Sequence, residues 1–188
     1  MLTSDINYPS SNYIKILFEW DELNFEKLTE LTNGASSKML RWLAMIHPDN
    51  RTRENLLRLS NIKVGKNTVI NIGLNVYDTT ECVVEIGDNC AIAANVSLIA
   101  ESGPNMSQLG SIPYIKEHYM KRGKIVIEDH VWIGANVIVF PGVRVGQNSI
   151  VGAGSLVTKD IPVNSIVKGQ PAKIFKEISG QNVIPFMP

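Results

Sequence analysis

The sequence is short of cysteine and of one-signed charge, and it has no long apolar run; each shortage removes a class of protein. Two cysteines, Cys82 and Cys90, in 188 residues are too few for the disulfide frameworks that hold small secreted domains together, and they read as reduced thiols. Lys plus Arg and Asp plus Glu number 18 each, a formal net charge of zero, so the basic excess or stripe of a nucleic-acid binder is missing. No apolar stretch approaches the roughly 20 residues of a membrane span. The opening MLTSDINYPSSNY lacks the basic-then-apolar layout of a secretory leader, and a cytoplasmic setting is expected. What is present is 44% hydrophobic residues against 19% charged, enough apolar material for the core of one domain.

The first sixty residues carry helical spacing. Leu23, Phe25, Leu28 and Leu31 recur at near-helical intervals and are followed by the stop signal Asn33-Gly34. Ser36 or Ser37 is placed to cap a second helix carrying Met39, Leu40, Trp42, Leu43 and Ile46, which ends before Pro48. A third short helix runs through Leu56, Leu57 and Leu59. Residues 1–62 are therefore expected to form a helical cap or packing arm.

From Val64 onward a period of six takes over. Cut from Ile127, the text reads IEDHVW, IGANVI, VFPGVR, VGQNSI, VGAGSL, VTKDIP, VNSIVK, with Ile or Val first in every block, from Ile127 through Val163. Ile and Val together form about a fifth of the chain, so seven consecutive hits in one register mark an internal repeat. The fifth position holds Val131, Val137, Val143, Ser149, Ser155, Ile161 and Val167, all small or β-branched, and Gly134, Gly146 and Gly152 stand second. A weaker array (Val64/Thr68, Ile70/Leu74, Val76/Thr80, then Ile86/Cys90 and Ile92/Val96 after a slip) precedes it. Six fits neither the 3.6-residue helix nor simple alternation. It fits a short strand and a sharp corner, repeated, with each turn hydrogen-bonded to the next at about 4.8 Å around one apolar column. The expected fold is all-β: a parallel β-helix over residues 63–170, interrupted by a loop at about 99–124, with an N-terminal helical segment and a C-terminal helix or tail over 171–188.

The stretches IGDNCAIAANVSL (86–98), VWIGANVIVFPGVRVGQNSIVGAGSLVTKDIP (131–162) and SIVKGQPAKIFKEI (165–178) resemble the hexapeptide-repeat acetyltransferases, especially their galactoside, maltose and chloramphenicol/streptogramin branches. The resemblance runs from about Val64 to Ile178. It implies a left-handed coil, against the usual right-handed crossover preference. It further implies a homotrimer with sites between subunits, and acetyl-CoA laid along the coil with its thioester near the loop. Carried over by position, Trp132 to Ala135 would line the pantetheine groove, and Ala153, Thr158 and Lys159 would contact the cofactor further along. Lys173 and Lys176 stand where basic residues meet the CoA phosphates, a role that suits a cation. Asn75 and Asp78, in GLNVYDTTE, fall near the polar contacts of sugar-acetylating relatives.

Acetyl transfer to a hydroxyl needs a base, since a neutral alcohol is a poor nucleophile, and a donor for the oxyanion. The resemblance implies a histidine base in the loop after the NVSL strand. That stretch here reads LIAESGPNMSQLGSIPYIKEHYMKRGK, and the position holds Glu101, Ser102 or Gly103. His118, in the same loop, and Glu101 are the candidate bases; Ser102 and Asn105 could hold the acceptor or the oxyanion. His47 and His130 complete the histidines. His47 lies outside the coil, which leaves too few ligands for the three-histidine zinc site of a carbonic anhydrase, and no metal is expected. Three readings stand: O-acetylation of a sugar or other small hydroxyl acceptor, N-acetylation of an amino sugar, and a CoA-binding coil whose catalysis is impaired.

Overall fold

The computed structural model describes residues 10–18, 23–77 and 84–178. Four helices come first: α1 (Ser10–Phe18), α2 (Phe25–Leu31), α3 (Ser37–Ile46) and α4 (Asn50–Leu59). Three of them start on side-chain caps, with Asn24, Ser36 and Asp49 accepting the N–H groups of Lys27, Met39 and Thr52, donors that a first helical turn leaves without partners. α1 has no counterpart in the apolar spacing of the sequence. It is tied in by buried His47, whose Nε2–H donates to the Ile16 carbonyl at 2.8 Å while Nδ1 accepts the Asp49 N–H at 3.1 Å. Within α3 the buried face is Leu40, Leu43 and Ala44. Met39 and Trp42, expected on that apolar face, are 38% and 49% exposed.

The coil follows. Each turn adds one short strand to each of three parallel sheets. The first sheet stacks β1 (Lys63–Val64), β4 (Val84–Ile86), β9 (Ile125–Ile127) and β12 (Arg144–Val145). The second stacks β2 (Val69–Ile70), β5 (Ala91–Ile92), β10 (Trp132–Ile133), β13 (Ile150–Val151) and β15 (Ser165–Gly169). The third stacks β3 (Asn75–Tyr77), β6 (Ser97–Ile99), β11 (Ile138–Val139) and β14 (Leu156–Val157). Ile127 lies against Val145, Ile133 against Val151 and Val139 against Val157, eighteen residues apart, so three hexads make one turn. These six side chains are buried to within 1%. Each contributes on the order of 1.5–3 kcal/mol of burial. The result is a left-handed parallel β-helix with one apolar axis.

The corners explain the fourth hexad position. His130, Asn136, Gly142, Asn148 and Gly154, six residues apart, all have φ between 57° and 83°. This left-handed backbone is open to Gly and tolerated by Asn far better than by branched residues. Where turns approach most closely no side chain fits: a Cβ on Gly134 would lie 2.5 Å from the Ala153 amide nitrogen.

Three expectations need correction. Val163, the seventh Ile/Val of the register, is 54% exposed. The last turn is sixteen residues rather than eighteen, because Ile161 bridges Val145 and Val167 pairs with Val151. Asp160 sits at that turn's fourth position without a positive φ, and Pro162 follows; the left-handed corner moves to Asn164 (φ 54°). Second, the segment expected as a C-terminal helix or tail forms β16 (Ala172–Glu177), antiparallel to β15; residues 179–188 lie outside the described set. The loop interrupts the coil where expected and carries β7 (Glu101–Ser102), a 3₁₀ turn (Gln108–Ser111), α5 (Pro113–His118) and β8 (Lys121–Arg122). Third, the five α-helices among the described residues keep the chain as a whole from being all-β.

α4 sits on the first turn through specific bonds. Asn50 Oδ1 accepts the Ile70 N–H at 2.7 Å, Arg53 Nε donates to the Ile70 carbonyl at 2.7 Å, and Arg58 reaches the carbonyls of Val64 and Gly65. Arg53 is buried, and it donates as well to the His47 and Pro48 carbonyls. Those acceptors offset the cost of removing a guanidinium from water.

Candidate active site

The loop leaves the third sheet directly after β6. The Ala100 N–H donates to the Tyr77 carbonyl at 2.9 Å and its carbonyl accepts from Gly123 at 3.0 Å, so the loop begins and ends at one point of the coil. β7 and β8 pair antiparallel from there, Glu101 against Arg122 and Ser102 against Lys121. Asn105 follows with φ 48°. Past the 3₁₀ turn, α5 ends on His118. The His118 ring stacks on Tyr114 (centroids 4.3 Å apart) and its Nδ1 lies 3.0 Å from the Tyr114 carbonyl. A carbonyl can only accept, so Nδ1 carries a proton, which leaves Nε2 as the nitrogen through which the neutral ring would take one. Glu101 is half-buried on the stem, while Ser102, Asn105 and His118 are exposed. Glu101 therefore belongs to the root of the loop and His118 to its outer arm.

The cofactor candidates fall on two corners and one edge. Trp132 points outward from the second sheet, 56% exposed, between Ala91 and Ile150 of the adjoining turns. Ala135 and Ala153 occupy the next corner on successive turns, joined where the Gly154 N–H donates to the Ala135 carbonyl at 2.8 Å. Thr158 and Lys159 are exposed at the following corner, across the third sheet, where the loop also emerges two turns earlier. Lys173 and Lys176 lie on β16, opposite Lys168 and Ile166 of β15. An exposed indole, a shelf of single-carbon side chains and flanking ammonium groups match the parts of coenzyme A, with its flat ring, slender pantetheine and phosphates. The residues present fit that group.

Two of the concavities among the described residues bear on the binding of a small molecule. The larger, about 780 Å³, opens on the first sheet and is lined by Glu85, Asp88, Glu128 and Asp129 together with Arg58 and Gln147. Its carboxylates are committed to the coil. Glu85 pairs with Lys124 and Lys63, Glu128 takes Arg144 and the Gln147 N–H, Asp88 takes the Lys66 N–H and Asp129 the Asp88 N–H. The Lys124 and Lys63 bonds hold Glu85 below the usual carboxylate range, and the bonds from Arg144 and Gln147 do the same for Glu128. The smaller pocket, about 260 Å³, lies between α3 and β3 and includes Lys38, Arg41, Trp42, Asn75 and Tyr77. Of these only Asn75 stood out in the sequence as a site residue. Trp42 looked like a core position, although Lys38, Arg41 and Trp42 at i, i+3 and i+4 share one helix face. Asp78 lies outside the described residues.

Residues 61–100 and 124–159 match the family described as the hexapeptide repeat of succinyl-transferase; the gap between the two matches is the loop. The galactoside O-acetyltransferase of Escherichia coli (strain K12) is 41% identical over 123 residues, 65% of this chain and 57% of that one. Among solved structures, a galactoside acetyltransferase in complex with coenzyme A superposes with TM-score 0.62 at 32% identity, covering 81% of this chain and 84% of that one. This chain belongs to the hexapeptide-repeat acetyltransferase family. A further member, a maltose O-acetyltransferase from Clostridium difficile 630, shares the fold at TM-score 0.57 and 29% identity, over 89% of this chain and 97% of that one. The chain spans little more than half the length of the curated hexapeptide-repeat acetyltransferases it matches. No helix among the described residues is long and apolar enough to cross a membrane.

Proposed function

We propose that the protein transfers the acetyl group of acetyl-CoA to a hydroxyl of a sugar or similar small acceptor by direct attack on the thioester. The observation that carries this reading is the shelf of Ala135 and Ala153 beside the exposed Trp132, in a chain that shares its fold with a coenzyme A-bound galactoside acetyltransferase over most of both lengths. Under this reading Trp132, Ala135, Ala153, Thr158 and Lys159 bind acetyl-CoA, and Lys173 and Lys176 meet its phosphates. His118 Nε2 or the Glu101 carboxylate takes the proton of the acceptor hydroxyl as the C–O bond forms, and the C–S bond breaks to release CoA thiol. Ser102 and Asn105 hold the acceptor or the oxyanion, and Asn75 with Asp78 orients the sugar.

The reading includes a homotrimer and a cytoplasmic setting, where acetyl-CoA is made and used. The loop supports the trimer. Met106 is wholly exposed, and Leu109, Ile112, Tyr114, Tyr119 and Met120 are 40–62% exposed, an apolar surface that a neighbouring protomer would cover.

A thiol-release assay with acetyl-CoA and a panel of neutral and acidic sugars, with amino sugars alongside, tests the proposal. Acceptor-dependent release with hydroxyl compounds is expected. Release only with amines would replace it by N-acetylation, and no release with any acceptor would leave a coil with impaired catalysis.

A further inference from the structure

The pocket between α3 and β3 is lined quite differently from the groove on the first sheet. Trp42 and Tyr77 present rings that are 49% and 45% exposed, and Lys38 and Arg41 stand on the same helix face as Trp42. Among the described residues lining it there is no carboxylate. The groove on the first sheet, by contrast, is walled by four. The described linings thus differ in sign, with four carboxylates around the one concavity and cations with aromatic rings around the other. Aromatic faces suit the apolar face of a sugar ring, and the Asn75 amide offers both a donor and an acceptor for hydroxyls. A guanidinium is a planar fork that matches a carboxylate, and an ammonium adds a second positive charge.

The pocket also lies where an acceptor is needed. The Tyr77 carbonyl accepts the N–H of Ala100, the residue before Glu101, so the pocket wall is one strand spacing, about 4.8 Å, from the root of the loop bearing the candidate bases.

We infer that this pocket is the acceptor subsite and that the acceptor it selects is an anionic sugar, a hydroxyl-bearing ring with a carboxylate. The assignment rests on the acyl-transfer reading for its place in a reaction, but binding itself can be measured without acetyl-CoA.

The test is a ligand-observed NMR titration of the full chain with two matched pairs, galacturonate against galactose and glucuronate against glucose. At low ionic strength at least one acid binds about tenfold more tightly than its neutral partner, a difference of about 1.4 kcal/mol. That preference shrinks as salt is raised and is lost in the Lys38→Gln/Arg41→Gln variant, while Trp42→Ala weakens both members of the pair. Far-UV circular dichroism and thermal unfolding establish that the variants are folded, and Arg41→Lys, which keeps the charge, retains most of the preference. Equal affinity within both pairs, no binding of either acid, or a preference that survives the double substitution overturns the inference. Thiol release separates the two readings. Turnover with neutral sugars and no acid preference sinks the anionic subsite alone. An acid preference lost on substitution, without any turnover, sinks the transferase reading and leaves the subsite standing.

Discussion

The coil and the loop that interrupts it are built on opposite plans. In the coil every hexad from Ile127 to Val157 buries its first residue. In the loop not one residue from Glu101 to Lys124 is buried. The coil obtains its shape from side chains packed along one axis, and most of its backbone donors and acceptors are spent on the adjoining turns. The loop obtains its shape from two antiparallel residue pairs, one short helix and a stacked Tyr–His pair, a construction that opens at little cost. Stability therefore resides in the coil, and the candidate chemistry sits where stability is lowest.

The sharpest way to break this division is to pair one substitution from each side. Ile133→Ala removes a fully buried side chain from the middle of the second sheet and is expected to cost about 2–5 kcal/mol in urea unfolding. His118→Ala and Glu101→Gln are expected to stay within roughly 0.5 kcal/mol of the parent in the same measurement. Whichever of the two is the base should lower acetyl transfer by about 10²–10⁴-fold. If the loop substitutions destabilise as much as the coil substitution does, the division fails.

The next effect concerns corners. His130→Val places a β-branched residue at φ 59° and is expected to lower stability by about 1–2 kcal/mol, whereas His130→Asn should be nearly neutral in the same thermal melts. Equal effects would show that the corner tolerates any side chain.

The smallest effect is electrostatic and also belongs to the coil. Glu85 and Glu128 are held below the usual carboxylate range, by Lys124 and Lys63 and by Arg144 and Gln147. A carboxylate held lower in the folded than in the unfolded chain adds stability above the unfolded value, about 4.3, and loses it as pH falls through the folded value. Stability should therefore decline on acidification below about pH 4.3, and the Glu85→Gln/Glu128→Gln variant should show a shallower decline. An unchanged acid limb would mean that these pairs contribute nothing.

Much of the coil was legible because its constraint is local and repetitive. An Ile or Val every sixth residue can satisfy only a strand-and-corner period, and the helices from α2 to α4 announced themselves by spacing and by the Ser36 cap. Legibility ended where two patterns overlapped. Val163 has the right letter at the right interval, yet the physical turn shortened by two residues; the available sign was Asp160 at a position otherwise held by Asn, Gly or His. Lys38, Arg41 and Trp42 were hidden for another reason. Their helix carries two faces, and spacing alone does not say which one meets the coil. The loop contains no periodicity to read, so Glu101, Ser102, Asn105 and His118 could be named as chemically able but not arranged relative to one another.

β16 does more than carry Lys173 and Lys176. A stack of parallel strands ends in a row of unpaired backbone groups that could template another chain and extend into a fibre. Here the chain doubles back, and β16 covers the lower rim of the second sheet in the reverse direction, while Asn50, Arg53 and Arg58 occupy bonding groups of the uppermost strands. The coil is thereby covered at its top by helices, and at one lower rim the outermost strand is β16, which runs against the parallel stack.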